Sequence, residues 1–404
     1  MRFGLALLLA LLAAPSFAQV EGYGKDATGG AGQPVCLVQS SIEECFQPGN
    51  IAQNVQIHFA KSVVDGPNWN RYIKSNVTID GCANGQNGVT IQQWPADGKY
   101  GLIVEGPASN VIVRCIRFQG QVGGKNSAGS TEFDLFALDG ESGLVSRVAV
   151  DRVTAVGATD GALDITGAVE DVTIQRSLIY GTPLAQLVKY GTRRRISLHH
   201  NVYTGNGERN PQVHGDIQQL DFVSNVVHNC TLSMDGVGNS FDPYGLRVDH
   251  ATGPAHVNVE HSYLGCSTEI FGSGIVYAND LTGSGAFSTS DGRVDTVPGY
   301  EATPTLAANL GGMLGTVGSP NRTPEDQVRL DAVAAELGVP GPAPTPTPTP
   351  VPTPTPVPTP TPTPTPAPTP APTPCPACPC DTVDLRIRVN GQVRWAPLTT
   401  CQAN

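Results

Sequence analysis

Between residues 20 and 337 the apolar positions fall in short Val, Ile and Leu segments, each soon broken by Gly, Asn or Asp. A helical period emerges only near residues 324–337. Several segments share the motif apolar-x-apolar-x-x-polar, and Val148/Val150, Val172/Ile174, Ile196/Leu198 and Leu220/Phe222 follow one another at intervals of 24 residues. One strand pattern per fixed interval predicts a solenoid whose coils stack on one another. Three residues after the second apolar position come Ser177, Asn201 and Asn225, with Val153 breaking the series in the first repeat. Small polar residues at one register predict an inward turn where amides and hydroxyls bond along the coil axis. Similar segments at Val77/Ile79, Val111/Val113 and Val257/Val259 extend the array with longer loops. The pattern predicts an all-β fold, a single-stranded parallel β-helix with coils about 4.8 Å apart. A β-sandwich is the alternative, but it requires no fixed period.

Counting onward from each motif maps the polar residues. Asp160 and Asp164 lie 10 and 14 residues after Val150, Gln186 and Lys189 lie 12 and 15 after Ile174, and Arg209 and His214 lie 11 and 16 after Leu198. These residues share one angular window, so they are expected as a single stripe on the outside of the coil. Two carboxylates beside cations suit a hard divalent metal next to an anionic ligand. On a straight strand Asp160 and Asp164 would stand about 13 Å apart, so joint ligation requires a bend, placed here at Gly161. Taken singly, either aspartate is equally well read as the cap of a turn.

Composition divides the chain. Of its 404 residues 46 are Gly and 35 are Pro, and 20 of the prolines fall between Pro340 and Pro379. Residues 342–374 are nearly pure Thr-Pro, Val-Pro and Ala-Pro, a semi-rigid polyproline II spacer of roughly 100 Å. Beyond it, two apolar-polar segments flank Asn390-Gly391, a hairpin signal, and four cysteines are available to staple so small a module. At the other end Arg2, an apolar run from Leu5 to Ala14 and Ser16-Phe17-Ala18 read as a secretory signal, too short to span a bilayer. Export makes disulfides of the cysteines, six in the body and four in the tail. The expected organisation is a signal peptide over 1–18, a β-helix over 19–339, a linker over 340–374 and a Cys-rich module over 375–404. A formal charge of −11 argues against nucleic acid or an anionic membrane as partner.

The residues resemble the pectate lyases of polysaccharide lyase family 1 over most of residues 20–337. Glu21-Gly-Tyr-Gly-Lys-Asp-Ala-Thr-Gly-Gly30 is similar to the family's Gly-rich opening, and Asn110-Val-Ile-Val-Arg-Cys-Ile-Arg-Phe118 to one of its strands. Asp160-Gly-Ala-Leu-Asp-Ile165 followed by Asp171-Val-Thr-Ile174 resembles its calcium segment. His199-His-Asn-Val-Tyr203 with Glu208-Arg-Asn-Pro211 resembles its catalytic segment. The resemblance implies a right-handed parallel β-helix and calcium-dependent β-elimination of polygalacturonate by a secreted monomer. It implies calcium ligands at Asp134, Asp160 and Asp164 and a proton-abstracting base at Arg209. It also implies substrate contacts at Lys189, Gln186 and His214, with the family's lysine falling on Gln186 or on Lys189. His214 stands where the family has a second arginine, and Gly161 and Arg152 replace a glutamate and a histidine. These departures bear on affinity and chain-length preference.

The implied chemistry removes a proton α to a uronate carboxylate, so a divalent cation and nearby cationic side chains that neutralise that carboxylate stabilise the transition state. Adjacent Ca2+ and basic residues such as Lys189 are expected to favour the neutral form of Arg209. His199 and His200 are read as packing residues, and Arg193-Arg194-Arg195 as a solvated turn or an attractor of polyuronate. Arg386, Arg388 and Trp395 offer the tail a sugar contact or a contact with the cell wall. The alternatives kept open are a pectin lyase acting on methylated pectin without calcium, and a non-catalytic β-helix that binds polysaccharide.

Overall fold

The computed structural model describes residues 19–67, 70–92, 100–121, 133–189, 191–231, 243–249, 253–271, 274–289, 291–293, 303–343, 380–389 and 392–401. The expected signal peptide and nearly all of the linker lie outside these residues. The chain divides into two compact units between Pro348 and Thr349.

In the first unit every strand-to-strand pairing is parallel, and each coil contributes one strand to each of three faces. Strand Leu163–Gln175 shows how the coil turns. Its first part pairs with Leu187–Lys189, and after a corner at Gly167 its second part pairs with Arg193–His199. Two faces thereby merge into one sheet, of 17 strands among the described residues, and the third is a sheet of 8 strands among them. The 24-residue motif lies on the second face, where Val148, Val172, Ile196 and Leu220 are register partners and all point into the core.

The polar turn is the expected ladder. Asn201 Oδ1 accepts from Ser177 N at 2.9 Å, Asn225 Oδ1 accepts from Asn201 N at 2.8 Å, and Ser262 Oγ accepts from Asn225 N at 3.1 Å. Each asparagine also donates along the axis, Asn201 to Ile174 O and Asn225 to Leu198 O. Buried backbone groups at the corner are thereby satisfied without water. The residue before each rung, Arg152, Arg176, His200, Ser224 and His261, takes a left-handed backbone with φ between 48° and 56°. A second corner carries another ladder, Asn110 to Asn76 to Asn54, each bond 2.9 Å, at a left-handed position that asparagine tolerates well.

The interior is a column of Val, Ile, Leu and Phe running the length of the coil. A separate apolar cluster lies outside the third face, where Leu178, Tyr180 and Val202 meet Leu310, Leu314, Leu330 and Val333. The helix Pro324–Glu336 supplies part of that cover, as the sequence period predicts, and Thr323 caps it. The six body cysteines close as Cys36–Cys45, Cys82–Cys115 and Cys230–Cys266. Among the described residues no helix is long and apolar enough to cross a membrane. In the second unit, strands Cys380–Val389 and Gln392–Cys401 pair antiparallel with Val389 opposite Gln392 and Cys380 opposite Cys401; the Asn390-Gly391 turn signal lies outside the described residues.

Candidate active site

Strand parity decides which side chains reach the surface of the first face. Ile165, Val188, Val213 and Val248 are fully buried, so their neighbours on the strands face outward. Thr166, Lys189, His214 and Asp249 form one outward row of register partners, and Gln212, Arg247 and Glu269 form the next. Lys189 and His214 therefore stand side by side, as the stripe requires.

Gln186 does not join them. It shares parity with Val188 and is fully buried, its Oε1 accepting from the Tyr203 hydroxyl at 2.6 Å. The angular window admitted it because the count ignored the two-residue alternation of the strand. The expectation that Gln186 lies on the outer stripe and contacts substrate is corrected: a polysaccharide on this face cannot reach it, and Lys189 is the outward residue.

The two aspartates of the first coil are brought together by the bend. Residues 159, 160 and 162 leave the strand geometry, while Gly161 bridges Leu184 and donates its N–H to Asp134 Oδ1 at 2.7 Å. The Asp164 carboxylate folds back over Gly161 so closely that a Cβ there would overlap it, and its Oδ1 accepts from Leu187 N at 2.9 Å. Arg209 reaches the cluster from two coils on, its Nη1 donating to Asp160 Oδ1 at 3.2 Å.

The electrostatics are those of a pocket short of positive charge. Burial, then the fields of Asp164 and Asp160, push Asp134 well above the carboxylate range. Burial likewise raises Asp164, to about 7, against the opposing pull of Arg209. For Arg209 burial favours the neutral form, but Asp164, Asp160 and Asp134 overbalance it and the pKa rises. The side chains nearest Arg209 are thus anionic and favour its charged form, so Lys189 alone does not supply the positive surroundings that the expected neutral form requires. Three converging carboxylates, two of them proton-hungry through burial and mutual repulsion, are hard oxygen donors that suit a divalent cation. A cluster of Asp80, Cys82 and Cys115 also gathers ligand atoms, but both its thiols are spent in a disulfide.

Several residues of this face escaped the sequence reading. Asp249 Oδ2 stands 3.5 Å from His214 Nε2. The Arg247 guanidinium lies 5.2 Å from the Tyr244 ring centre and 5.0 Å from that of Phe271, and the Tyr244 hydroxyl donates to Gln212 Oε1 at 3.0 Å. A long insertion hides them from the 24-residue count, but the triplets Leu187-Val-Lys189, Gln212-Val-His214 and Arg247-Val-Asp249 repeat one parity and could have revealed them.

Other candidates lie elsewhere. Asp171 is at a corner, ion-paired with Arg195, which also approaches Glu170 at 3.4 Å. His199 and His200 pack edge to face with ring centres 5.2 Å apart, and His200 Nε2 meets Thr305 Oγ1 at 2.9 Å. Burial lowers their pKa values to about 3 and about 4, with His200 and Arg176 adding to the shift of His199 and Arg176 to that of His200.

The fold and this face define a right-handed parallel β-helix with a carboxylate cluster and an arginine on one outer sheet. Three solved structures share the fold. The major allergen of cedar pollen aligns at TM-score 0.54 and 14% identity over 74% of this chain and 92% of its own. A pectate lyase bound to a hexasaccharide aligns at 0.53 and 14% over 75% and 97%. Pectate lyase II of Xanthomonas campestris aligns at 0.51 and 19% over 74% and 98%. In sequence the chain is related to the pectate lyases. It is 28% identical over 319 residues to the "Probable pectate lyase C" of Emericella nidulans, covering 71% of this chain and 66% of that one. It is 28% identical over 278 residues to that of Aspergillus oryzae, covering 64% and 56%. The chain thus spans 66% and 56% of the lengths of these two relatives. No protein-family model matches it.

Proposed function

We propose that this chain is a secreted polysaccharide lyase that cleaves (1→4)-α-D-galacturonan, pectate, by calcium-dependent β-elimination to 4,5-unsaturated oligogalacturonides. The observation that carries the reading is Arg209 beside Asp134, Asp160 and Asp164 on the outer face of a coil related to the pectate lyases. Those three carboxylates would hold the calcium, which would supply charge stabilisation at the substrate carboxylate.

The chain's own residues do the rest. Lys189 and His214 are one coil apart in register and hold uronate carboxylates, with Asp249 orienting His214. Arg209 accepts the C5 proton, a C4–C5 double bond forms, and the C4–O bond breaks to release the leaving sugar. Arg209 must be neutral to do so, and neutralising the three carboxylates removes the field that holds it cationic. Residues 19–339 are read as the catalytic body of a monomer, 340–374 as its spacer, and 375–404 as a module that contacts wall polysaccharide.

The test is ultraviolet absorbance of unsaturated uronides released from polygalacturonate. Product is expected with calcium and is lost with chelator and in Arg209→Ala. Activity that ignores chelator and favours methylated pectin would make the protein a pectin lyase. Binding without product would make it a non-catalytic β-helix.

A further inference from the structure

Arg209 sits in a left-handed backbone conformation, φ 61°, which is strained for a residue with a Cβ and persists where its surroundings impose it. The surroundings that do so include two asparagines on either side of it in the chain, both turned into the interior. Asn206 and Asn210 are both fully buried. Asn206 Oδ1 accepts from Thr182 N at 3.2 Å, and its Nδ2 donates to Ile179 O at 3.0 Å and to Asn210 Oδ1 at 2.9 Å. Asn210 Nδ2 donates to Gly207 O at 3.0 Å and to Tyr244 O at 2.9 Å.

Both amides have every donor engaged and their oxygens bonded, so neither can flip without setting donor against donor. The pair spans three successive coils, from residues 179–182 through the Arg209 loop to Tyr244. Through Gly207 O the Asn210 amide ties the Arg209 loop to itself, and through Tyr244 O it ties that loop to the next coil. Tyr244 in turn carries Arg247 on its ring and Gln212 on its hydroxyl.

We infer that Asn210, locked by Asn206, is a positioning residue for the reaction: it holds the Arg209 backbone, and with it the guanidinium, at its distance from the carboxylates. This rests on the proposed lyase reading, and a shape requirement of this kind acts on turnover more than on substrate capture. A misplacement of about 1 Å is enough for a hundredfold loss of rate.

The experiment compares Asn210→Ala, Asn206→Asp and Asn225→Ala with the wild-type full chain. Asn206→Asp keeps the acceptor for Thr182 N but removes the donors to both Asn210 Oδ1 and Ile179 O, so Asn210 loses its lock while one bond between Asn206 and the neighbouring coil remains. Asn225→Ala removes an equivalent buried amide from the ladder at another corner. On polygalacturonate with calcium, kcat is expected to fall about 10–100-fold in the first two with KM changed less than about threefold, and to stay within about twofold in the third. Amide exchange of residues 207–212 is expected to quicken about tenfold in the first two only. Equal loss of kcat in Asn225→Ala, a change confined to KM, or unaltered exchange at 207–212 overturns the inference. Should the wild-type chain release no unsaturated product, the lyase reading fails by itself, and the exchange comparison still decides whether Asn210 holds the loop.

Discussion

Replacing Asp326 with Asn should release the helix Pro324–Glu336 from the third face at a cost far beyond that of a lost helix cap. Asp326 is fully buried and its Oδ2 has two partners, Thr323 N at 2.7 Å and Arg117 Nε at 3.3 Å. Arg117 is itself buried, its remaining nitrogens donating to the Tyr180 hydroxyl at 2.9 Å and to Gln119 Oε1 at 2.7 Å, both neutral acceptors. Asn keeps the volume and an acceptor for Thr323 N, so cap and packing persist while the guanidinium is left buried without its counter-ion. Breaking a buried pair in this way costs about 3–5 kcal/mol. Thr323→Ala, which removes only the hydroxyl of the capping box, costs about 1 kcal/mol.

The apolar cluster under the helix is separate from the core of the coil, so the loss should appear as undocking of the helix. Amide exchange over residues 324–336 is the assay. At tenfold per 1.4 kcal/mol it should quicken by roughly two to three orders of magnitude in Asp326→Asn and by less than about tenfold in Thr323→Ala. Strand amides inside the coil should not change. The double variant Arg117→Met with Asp326→Leu removes both charges and should recover most of the loss. The reasoning is refuted if Asp326→Asn exchanges no faster than Thr323→Ala, or if the double variant is no better than the single one.

Acid should loosen the His199–His200 corner. Both folded pKa values, about 3 and about 4, lie below the ordinary 6.5, so the unfolded chain binds more protons and stability falls as pH drops below about 6.5, by about 2 kcal/mol per histidine at pH 5. A melting temperature that is flat between pH 7 and pH 5 would contradict this. Calcium at a hundred times its dissociation constant should stabilise the body by about 2.7 kcal/mol, seen as a raised melting temperature that Asp160→Ala abolishes; a rise that survives Asp160→Ala would remove Asp160 from the ligand set. Gly161→Ala should displace the Asp164 carboxylate and weaken calcium binding about tenfold or more by calorimetry. Unchanged affinity would show that the close approach is not required.

The coil was legible because its physics is periodic. The inward Val, Ile and Leu must recur once per turn, and the buried backbone at the corner must find an amide at the same register, so Asn201 and Asn225 are visible as soon as the interval is counted. The helix at 324–336 was legible for the same reason, with its own period. What the interval conceals is parity. Gln186 and Lys189 lie three residues apart and so face opposite sides of one strand, a distinction that a window several residues wide erases. Arg247 and Asp249 were hidden by the insertion that carries them off the 24-residue count. The Asn206–Asn210 pair was hidden because its bonds run between loops of three coils, and no repeat of sequence marks them.

Charge is what ties the candidate site together. Asp134, Asp160 and Asp164 surround one guanidinium, and burial magnifies their repulsion enough to raise two of them markedly. An acidic polymer entering this face meets the same repulsion, and Lys189 and His214, the latter beside Asp249, offset only part of it. On the proposed reading, a cation held by the three carboxylates would change both terms at once, since it would attract the polymer and relieve Arg209 of the field that keeps its proton. Cation uptake and polymer binding would then be linked, and by reciprocity each would tighten the other by the same factor. On the proposed lyase reading, the excess of acid groups, which argues against nucleic acid and anionic membranes as partners, would at this one face be the means by which an acidic ligand is admitted.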